Sequence, residues 1–218
     1  MSYILKTLLS NRGNYGGSRT AAQIKYIVMH FTANDGDSDT GNANYFHNNV
    51  VKASAHYFVD DDSVTQSVSD LSVAWSVGGK KWSDCVSTGG GKMYGKITNT
   101  NSISIEMCDT LKNGTLQATE ATMANAAALC RVLMEKYNVP LSRVVRHFDV
   151  TGKHCPSYFM DKTAWATWKE RLVDKDMTAT DAEKIIKEKT GASDAFVRHI
   201  WNYRWGDEGL ILLAKAMK

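Results

Sequence analysis

Residues 24–31, Ile-Lys-Tyr-Ile-Val-Met-His-Phe, form a nearly unbroken apolar run. Such a run is typical of a strand that is buried on both faces of a sheet. Residues 102–107, Ser-Ile-Ser-Ile-Glu-Met, alternate strictly between polar and apolar side chains, which predicts a second strand with Glu106 on its polar side. These two runs indicate a central sheet.

Further elements surround the two runs. The predicted strands are Ser54–Val59, Ser63–Val68 and Val144–Val145, the first two joined by a hairpin turn at residues 60–62. The predicted helices are Thr40–Asn49, Thr119–Tyr137 and Asp161–Lys175. Residues 78–96, rich in Gly, Ser and Lys, are expected to form a long loop. This order predicts an α/β fold over residues 1–175, with a mixed central β-sheet flanked by helices.

The pattern changes near residue 175, which predicts a second, all-helical domain. Residues 176–180 are expected to be a linker, and three short helices follow at Asp181–Lys189, Asp194–Tyr203 and Asp207–Met217. A unit of about 40 residues is marginal alone, so we expect it to dock on the main domain or to self-associate. Its predicted core comprises Ile185, Ile186, Phe196, Ile200, Trp201, Leu210, Leu213 and Ala214.

The composition is that of a globular protein. Hydrophobic residues make up 43% and charged residues 22% of the chain, and no apolar run approaches the roughly 20 residues of a membrane span. The formal net charge of +3 is too small to predict a nucleic-acid partner. The first ten residues do not resemble a signal peptide, so we expect synthesis in a cytoplasm without a signal peptide.

Four cysteines would permit two disulfides, but their wide spacing and the missing export signal argue against a disulfide framework. Cys108, at the end of a strand-like run, and Cys130, inside a helix-like run, are expected to be buried small hydrophobic side chains. Cys85 lies in the long loop and is a candidate exposed thiol. Cys155 belongs to a different pattern.

Cys155 follows His147 by eight residues, and His30 lies in the first apolar run. Either histidine alone is more often a hydrogen-bonded core residue than a ligand. Together with a cysteine, the two match the nitrogen and sulfur ligands that zinc prefers. Because no fourth protein ligand stands out, the set favours an open, catalytic zinc site with one Zn²⁺ per chain. The sequence therefore predicts a zinc hydrolase.

Several short segments carry a resemblance to a known family. They are Val28-Met-His-Phe-Thr32, Ser54-Ala-His-Tyr57, Asn101-Ser-Ile-Ser-Ile-Glu106, and His147 with Lys153-His-Cys-Pro156. In this order they resemble the zinc-dependent N-acetylmuramoyl-L-alanine amidases of type 2, which are related to phage lysis amidases and peptidoglycan recognition proteins. The resemblance implies a mixed sheet, a zinc at the floor of a groove, and hydrolysis of the bond between N-acetylmuramic acid and L-alanine. The C-terminal helices are similar, more weakly, to the tails of clostridial phage lysins.

The resemblance also implies roles for individual residues. The family's three metal positions map onto His30, His147 and Cys155. Glu106 corresponds to a catalytic carboxylate, which would accept the proton of the attacking water and pass it to the leaving nitrogen. Lys153 would stabilise the oxyanion. His56 occupies a position that is tyrosine in some phage members, so it is a catalytic candidate that could equally orient the substrate or form structural hydrogen bonds.

Three further residues are candidates for substrate binding: Trp75, Asn101 and Tyr57. Trp75 could present its ring to a sugar or to the stem peptide, or pack in the core. Asn101 could bind substrate or close the turn into its strand. Asp149 could hold a metal-ligand imidazole in one tautomer, or lie in a surface turn.

The leading hypothesis is a phage or prophage endolysin that lyses the Gram-positive cell wall after release from the host cytoplasm. A cytoplasmic amidase that recycles wall fragments, a non-catalytic peptidoglycan-binding protein, and a zinc hydrolase acting on another amide remain alternatives. The predicted partner is peptidoglycan, with no nucleic acid and no membrane insertion. The C-terminal helices would target the wall or form a homodimer.

Overall fold

The computed structural model describes residues 3–173, 178–201 and 206–217, and the chain divides into two units, residues 1–172 and 173–218. The first unit contains the strands β1 (Ile4–Thr7), β2 (Tyr15–Ser18), β3 (Tyr26–Asp35), β4 (Tyr57–Val59), β5 (Ser63–Gln66), β6 (Ser72–Ala74), β7 (Ser102–Lys112), β8 (Thr115–Gln117) and β9 (Val144–Arg146). Its helices are α1 (Asp39–Asn48), α2 (Cys85–Thr88), α3 (Glu120–Tyr137), α4 (His147–Thr151) and α5 (Lys162–Glu170). The second unit contains α6 (Ala179–Thr190), α7 (Asp194–Trp201) and α8 (Gly206–Ala216).

The central sheet is mixed, which confirms the predicted fold class. Its strand order is β1–β5–β4–β7–β3–β9, and β8 pairs with β7 outside that path. Strand β3 runs parallel to β7 and β9, whereas β4 is parallel to β7 and antiparallel to β5. The β3–β7 register places His30 directly beside Glu106. Two residues that are 76 positions apart therefore lie side by side on adjacent interior strands.

The alternation predicted for β7 is confirmed, but both of its faces are covered. Ile103, Ile105 and Met107 lie fully buried in the main core, which also contains α3 and α5 side chains. On the opposite face, Ser102 and Ser104 are buried as well. Strand β3 behaves similarly, since neighbouring residues along it join different apolar clusters. The sheet is thus a rigid support for side chains at the carboxyl ends of its parallel strands β3, β7 and β9.

Helix α3 matches its predicted range closely. The Thr119 hydroxyl accepts a hydrogen bond from the backbone N–H of Thr122 at 3.1 Å, an N-cap of a kind worth about 1 kcal/mol. The helix ends at Asn138, whose φ of 51° stops the chain in the left-handed conformation. Helix α5 is shorter than predicted, since it ends at Glu170 and residues 174 and 175 lie outside the described residues.

Two details of the first unit differ from expectation. Strand β9 ends at Arg146, so His147 opens a short helix instead of ending a strand. Cys85, a candidate exposed thiol, is buried, because the short helix α2 packs its sulfur near the Thr151 carbonyl at 3.5 Å. Cys108 and Cys130 are buried as predicted, and all four cysteines are free.

The second unit has its own small core, formed by Ala182, Ile186, Val197, Leu210 and Ala214. Phe196, predicted to belong to that core, is 53% exposed, because the neighbouring Val197 takes the inward position. The side chains of Ile200 and Trp201, and the whole of Tyr203, lie outside the described residues. Of the predicted linker, 176–177 also lie outside them, whereas Thr178 caps α6 and Ala179 begins it. No helix in the described part of the chain is long and apolar enough to cross a membrane.

Candidate active site

Three buried side chains converge at the carboxyl ends of β3 and β9. His30 comes from β3, His147 opens α4, and Cys155 lies in the loop that follows α4. One donor atom from each lies within 4.8 Å of the other two. The sulfur of Cys155 is 3.8 Å from Nδ1 of His30, and the two imidazole centroids are 4.7 Å apart. The predicted ligand set is therefore brought together in space.

Backbone and side-chain hydrogen bonds hold His147 and Cys155 in place. The carboxylate of Asp149 accepts from the backbone N–H of Arg146 at 2.8 Å and from its guanidinium, which fixes the first turn of α4. Asp149 thus positions His147 indirectly, by capping the helix that His147 opens. The sequence had offered a direct hydrogen bond to the imidazole as one of two roles for Asp149. The Phe148 N–H donates to the Cys155 carbonyl at 3.0 Å and closes the ligand loop.

The donor set fits a divalent metal such as zinc. His30 Nε2 and His147 Nδ1 are buried and have no hydrogen-bond partner among the described residues. Such unsatisfied buried nitrogens are costly unless something occupies the space beside them. Burial lowers the pKa of His147 to about 4 and that of His30 well below its usual value, so both imidazoles are neutral, the form that ligates metals. Burial and the Glu106 charge raise the pKa of the Cys155 thiol, so a thiolate there requires a nearby cation.

Glu106 lies beside this set. Its Oε1 is 3.8 Å from Nδ1 of His30, and its Oε2 is buried without a described hydrogen-bond partner. Burial raises the pKa of Glu106 to about 8, an effect that the positive charge of Lys153 opposes. Lys153 is exposed two residues before Cys155. A carboxyl group and an ammonium group therefore flank the candidate metal position.

A groove of about 710 Å³ opens above these groups. Glu106 and the last residues of β3 form its floor, and Lys153 and His154 line one side. Helix α1 lines another part with Tyr45 and Phe46. The complete lining is Phe31, Thr32, Ala33, Asn34, Asn42, Tyr45, Phe46, Phe58, Trp82, Glu106, Lys153 and His154. A cleft of this size that combines aromatic walls with a few polar groups is typical of a ligand site.

His56, a predicted catalytic residue, is not brought to the groove. It is fully buried, its Nδ1 accepts from the Ser104 backbone N–H at 3.0 Å, and its Nε2 lies 3.2 Å from the Ser72 carbonyl. The Arg19 guanidinium is 2.7 Å from the same Nε2. Burial and the Arg19 charge lower the pKa of His56 to about 3. Both ring nitrogens have partners, so His56 takes the structural role that was the alternative.

The three predicted substrate-binding residues also lie elsewhere. Tyr57 points into the main core, where its hydroxyl donates to Asp70 at 2.5 Å. Asn101 closes the turn before β7, since its side chain accepts from the Thr98 N–H and donates to the Lys96 carbonyl. Trp75 is half-buried, its indole nitrogen lies close to Gly16 in β2, and it does not line the groove. None of these three residues lines the groove.

Two features of the site escaped the sequence interpretation. Phe58, next to Tyr57 in β4, pairs in register with Glu106 and lines the groove, which the period-two alternation of a strand could have shown. Asp109 accepts from the Ala33 N–H at 2.9 Å and supports Ala33 in a left-handed conformation with φ of 58° at the groove floor. Burial raises the pKa of Asp109 to about 7.

Comparisons with known proteins agree with this geometry. Residues 20–158 match the family described as N-acetylmuramoyl-L-alanine amidase. A probable N-acetylmuramoyl-L-alanine amidase of Bacillus licheniformis is 36% identical over 144 residues, which cover 62% of this chain and 37% of that protein. The amidase CwlA of Bacillus subtilis is 30% identical over 196 residues, which cover 89% of this chain and 63% of that protein.

Solved structures show the same fold. A mutant endolysin from Bacillus subtilis superposes with a TM-score of 0.60 and 28% identity, covering 78% of this chain and 99% of that one. The catalytic domain of XlyA gives a TM-score of 0.60 and 27% identity, with the same coverage. The family match spans well over half of the chain and includes every residue of the buried cluster and Glu106. The chain therefore belongs to the N-acetylmuramoyl-L-alanine amidase family.

Proposed function

We propose that this chain is a zinc-dependent hydrolase that cuts the amide between N-acetylmuramic acid and L-alanine in peptidoglycan and so degrades the bacterial cell wall. The chain spans only 37% and 41% of the length of two amidase relatives from Bacillus licheniformis. Because those proteins are much longer, the activity proposed for this chain rests on the residues of its own site. Residues 1–175 would be the catalytic domain.

One observation carries the proposal. His30, His147 and Cys155 are buried, offer donor atoms within 4.8 Å of one another, and leave imidazole nitrogens unpartnered beside the Glu106 carboxyl group. A structural zinc site takes four protein ligands, whereas a catalytic site takes three and stays open. The groove is lined by Glu106 and Lys153, which flank the cluster, and substrate would approach from that side.

When bound, zinc would supply a Lewis acid for the amide carbonyl and make water nucleophilic at neutral pH. Glu106 would remove the proton of the attacking water and deliver it to the departing L-alanine nitrogen. Burial raises the pKa of the Glu106 carboxyl group, which makes its carboxylate a stronger base toward the proton of the water. The exposed ammonium of Lys153, on the rim of the same groove, would stabilise the negative charge on the carbonyl oxygen.

Product analysis tests this proposal. Purified Gram-positive peptidoglycan is digested with the protein, and new amino termini and new reducing sugar ends are both quantified. We expect new L-alanine amino termini without new reducing ends. Termini of another amino acid would show that a different amide is cut. Wall binding without any new termini would favour a peptidoglycan-binding protein without catalysis.

The finer assignments remain predictions. We expect an endolysin that acts on the wall after release, and a second unit at residues 181–218 that targets the wall or pairs two subunits. A truncation after residue 172 tests the second unit. Weaker sedimentation with walls at an unchanged number of subunits in solution would indicate targeting, and a change from dimer to monomer would indicate pairing.

A further inference from the structure

The loop at residues 78–96, called here the basic loop, concentrates positive charge. It carries Lys80, Lys81, Lys92 and Lys96 with Asp84 as its single acid, so its formal charge of +3 equals that of the whole chain. All four lysines are exposed, and none forms an ion pair with a described residue. The carboxylate of Asp84 has its own partner, since it lies 3.1 Å from Nε2 of His154.

The basic loop is held in one conformation. Three of its backbone N–H groups, those of Trp82, Gly91 and Met93, donate to carbonyls of α4 at 2.8–2.9 Å. Gly90 packs where a Cβ would lie 2.6 Å from Phe148, so the loop approaches α4 more closely than any larger residue allows. A fixed loop presents its charges without a large ordering cost.

The two stems of the basic loop lie against each other. The Tyr94 hydroxyl donates to the Gly79 carbonyl at 3.2 Å, and the Lys81 side chain packs against Gly91. Lysines that are up to 16 positions apart in sequence therefore belong to one surface. Four lysines held together with a single acid in the same loop repel one another and favour an anionic partner.

This surface adjoins the groove. Trp82 of the basic loop lines the groove and stacks on His154, with ring centroids 5.7 Å apart. An anionic chain bound to the lysines would therefore lie beside the peptidoglycan strand in the groove. The remainder of the chain carries no net formal charge, which disfavours a nucleic acid that would contact a broad basic face.

We propose that the basic loop is a docking surface for a phosphodiester-bearing anionic polymer attached to the cell wall. The wall as the setting rests on the proposed function. Binding of this kind releases counterions from the polymer, so it weakens steeply with salt and depends on the number of lysines that contact it.

Co-sedimentation tests the proposal. The Glu106→Gln protein, which leaves the wall uncut, is mixed with purified Gram-positive walls that retain their phosphodiester polymers and with the same walls stripped by hydrofluoric acid. We expect about tenfold tighter binding to the unstripped walls at low salt, and a loss of that difference at high salt.

Two matched variants locate the surface. Lys80→Gln, Lys81→Gln, Lys92→Gln and Lys96→Gln together should abolish the preference for unstripped walls. The control carries Lys25→Gln, Lys52→Gln, Lys112→Gln and Lys162→Gln, which remove the same charge from exposed lysines outside the basic loop, and should keep the preference. Replacing the loop lysines by arginine should also keep it, which separates lost charge from a disturbed loop.

Three results would overturn the proposal: equal binding to both wall preparations, equal losses in the two glutamine variants, or tighter binding to duplex DNA than to unstripped walls. Cleavage of stripped peptidoglycan by the protein that retains Glu106 is measured in parallel. If that cleavage is absent while the lysine-dependent preference persists, the proposed catalytic function fails and the docking surface stands.

Discussion

His30 and His56 are both buried, His30 within the central strand β3 and His56 immediately before β4, yet their chemical situations are opposite. Burial lowers the pKa of both. His56 has a partner at each ring nitrogen, within a network that includes Arg19. His30 keeps an unpartnered nitrogen and lies beside His147 and Cys155.

The difference teaches that burial and a lowered pKa do not distinguish a metal ligand from a structural histidine. The hydrogen-bonding capacity that the fold leaves unused does distinguish them. His56 completes a closed network, so a metal would gain nothing there. At His30 the network is open, and a cation would satisfy groups that the protein leaves unsatisfied.

The largest effect is expected from Cys155→Ser, which removes the soft ligand from the open cluster. We expect the protein to lose its zinc and at least about 10³-fold of its activity, because both carbonyl polarisation and water activation depend on the metal. Metal analysis of purified protein and a peptidoglycan digestion assay measure the two losses. Cys108→Ser makes the same change at a buried cysteine outside the cluster and should keep the metal.

Glu106→Gln separates catalysis from metal binding within the same region. We expect one zinc per chain and a loss of about 10²–10⁴-fold in turnover, since the amide can neither accept nor deliver the proton. Glu135→Gln, on the exposed side of α3, is the matched control. A Glu106→Gln protein with wild-type turnover would end the proton-transfer assignment.

The two central strands could be predicted because each depends on a local pattern, an apolar run or a strict alternation. The metal cluster joins His30 to Cys155, 125 positions away, and could be predicted because its residue types together match a zinc site and lie in recognisable motifs. The role of His56 depends on Arg19, which is 37 positions away and carries no local signal for that contact. Tyr57 was misplaced because its direction follows from the register of β4 beside Ile105. Predictions failed where the role of a residue is decided by long-range partners that no sequence motif marks.

His56→Ala should affect stability and not metal content, the reverse of a change at His30. Removing the ring leaves the buried Ser104 N–H without its acceptor and the Ser72 carbonyl without the Nε2–H donor, a cost of about 1–3 kcal/mol in the free energy of unfolding. Urea denaturation measures the loss, with exposed His47→Ala as the control. If the His56→Ala protein were stable and depleted of zinc, His56 would belong to the metal site after all.

The closed network extends to Asp70, whose backbone carbonyl accepts from Nε of Arg19 at 2.8 Å, and it also predicts a pH dependence. Burial tends to raise the pKa of Asp70, but hydrogen bonds from Tyr137, Tyr57 and Lys136 outweigh it, and the pKa lies below its usual value. A lowered pKa in the folded state stabilises the protein above the unfolded pKa of about 3.9, and this contribution is lost as the pH falls through the folded value.

Asp70→Asn should therefore lower the free energy of unfolding at pH 7 by about 1–2 kcal/mol and flatten its decline below pH 4. Thermal unfolding of the wild-type and Asp70→Asn proteins between pH 2 and 7 measures both effects. The two proteins share every other carboxylate, including exposed Asp61 and Asp62, so the difference between them belongs to Asp70. An acid limb of unchanged steepness in the variant would assign the decline to other carboxylates.

The most direct test of the contrast between the open and closed histidine sites is a zinc titration of metal-free protein. The bound zinc and the release of L-alanine amino termini are followed together. We expect both to rise in parallel and to saturate at one zinc per chain, with no saturation in Cys155→Ser. Full activity in protein that contains almost no zinc or other divalent metal would contradict the account.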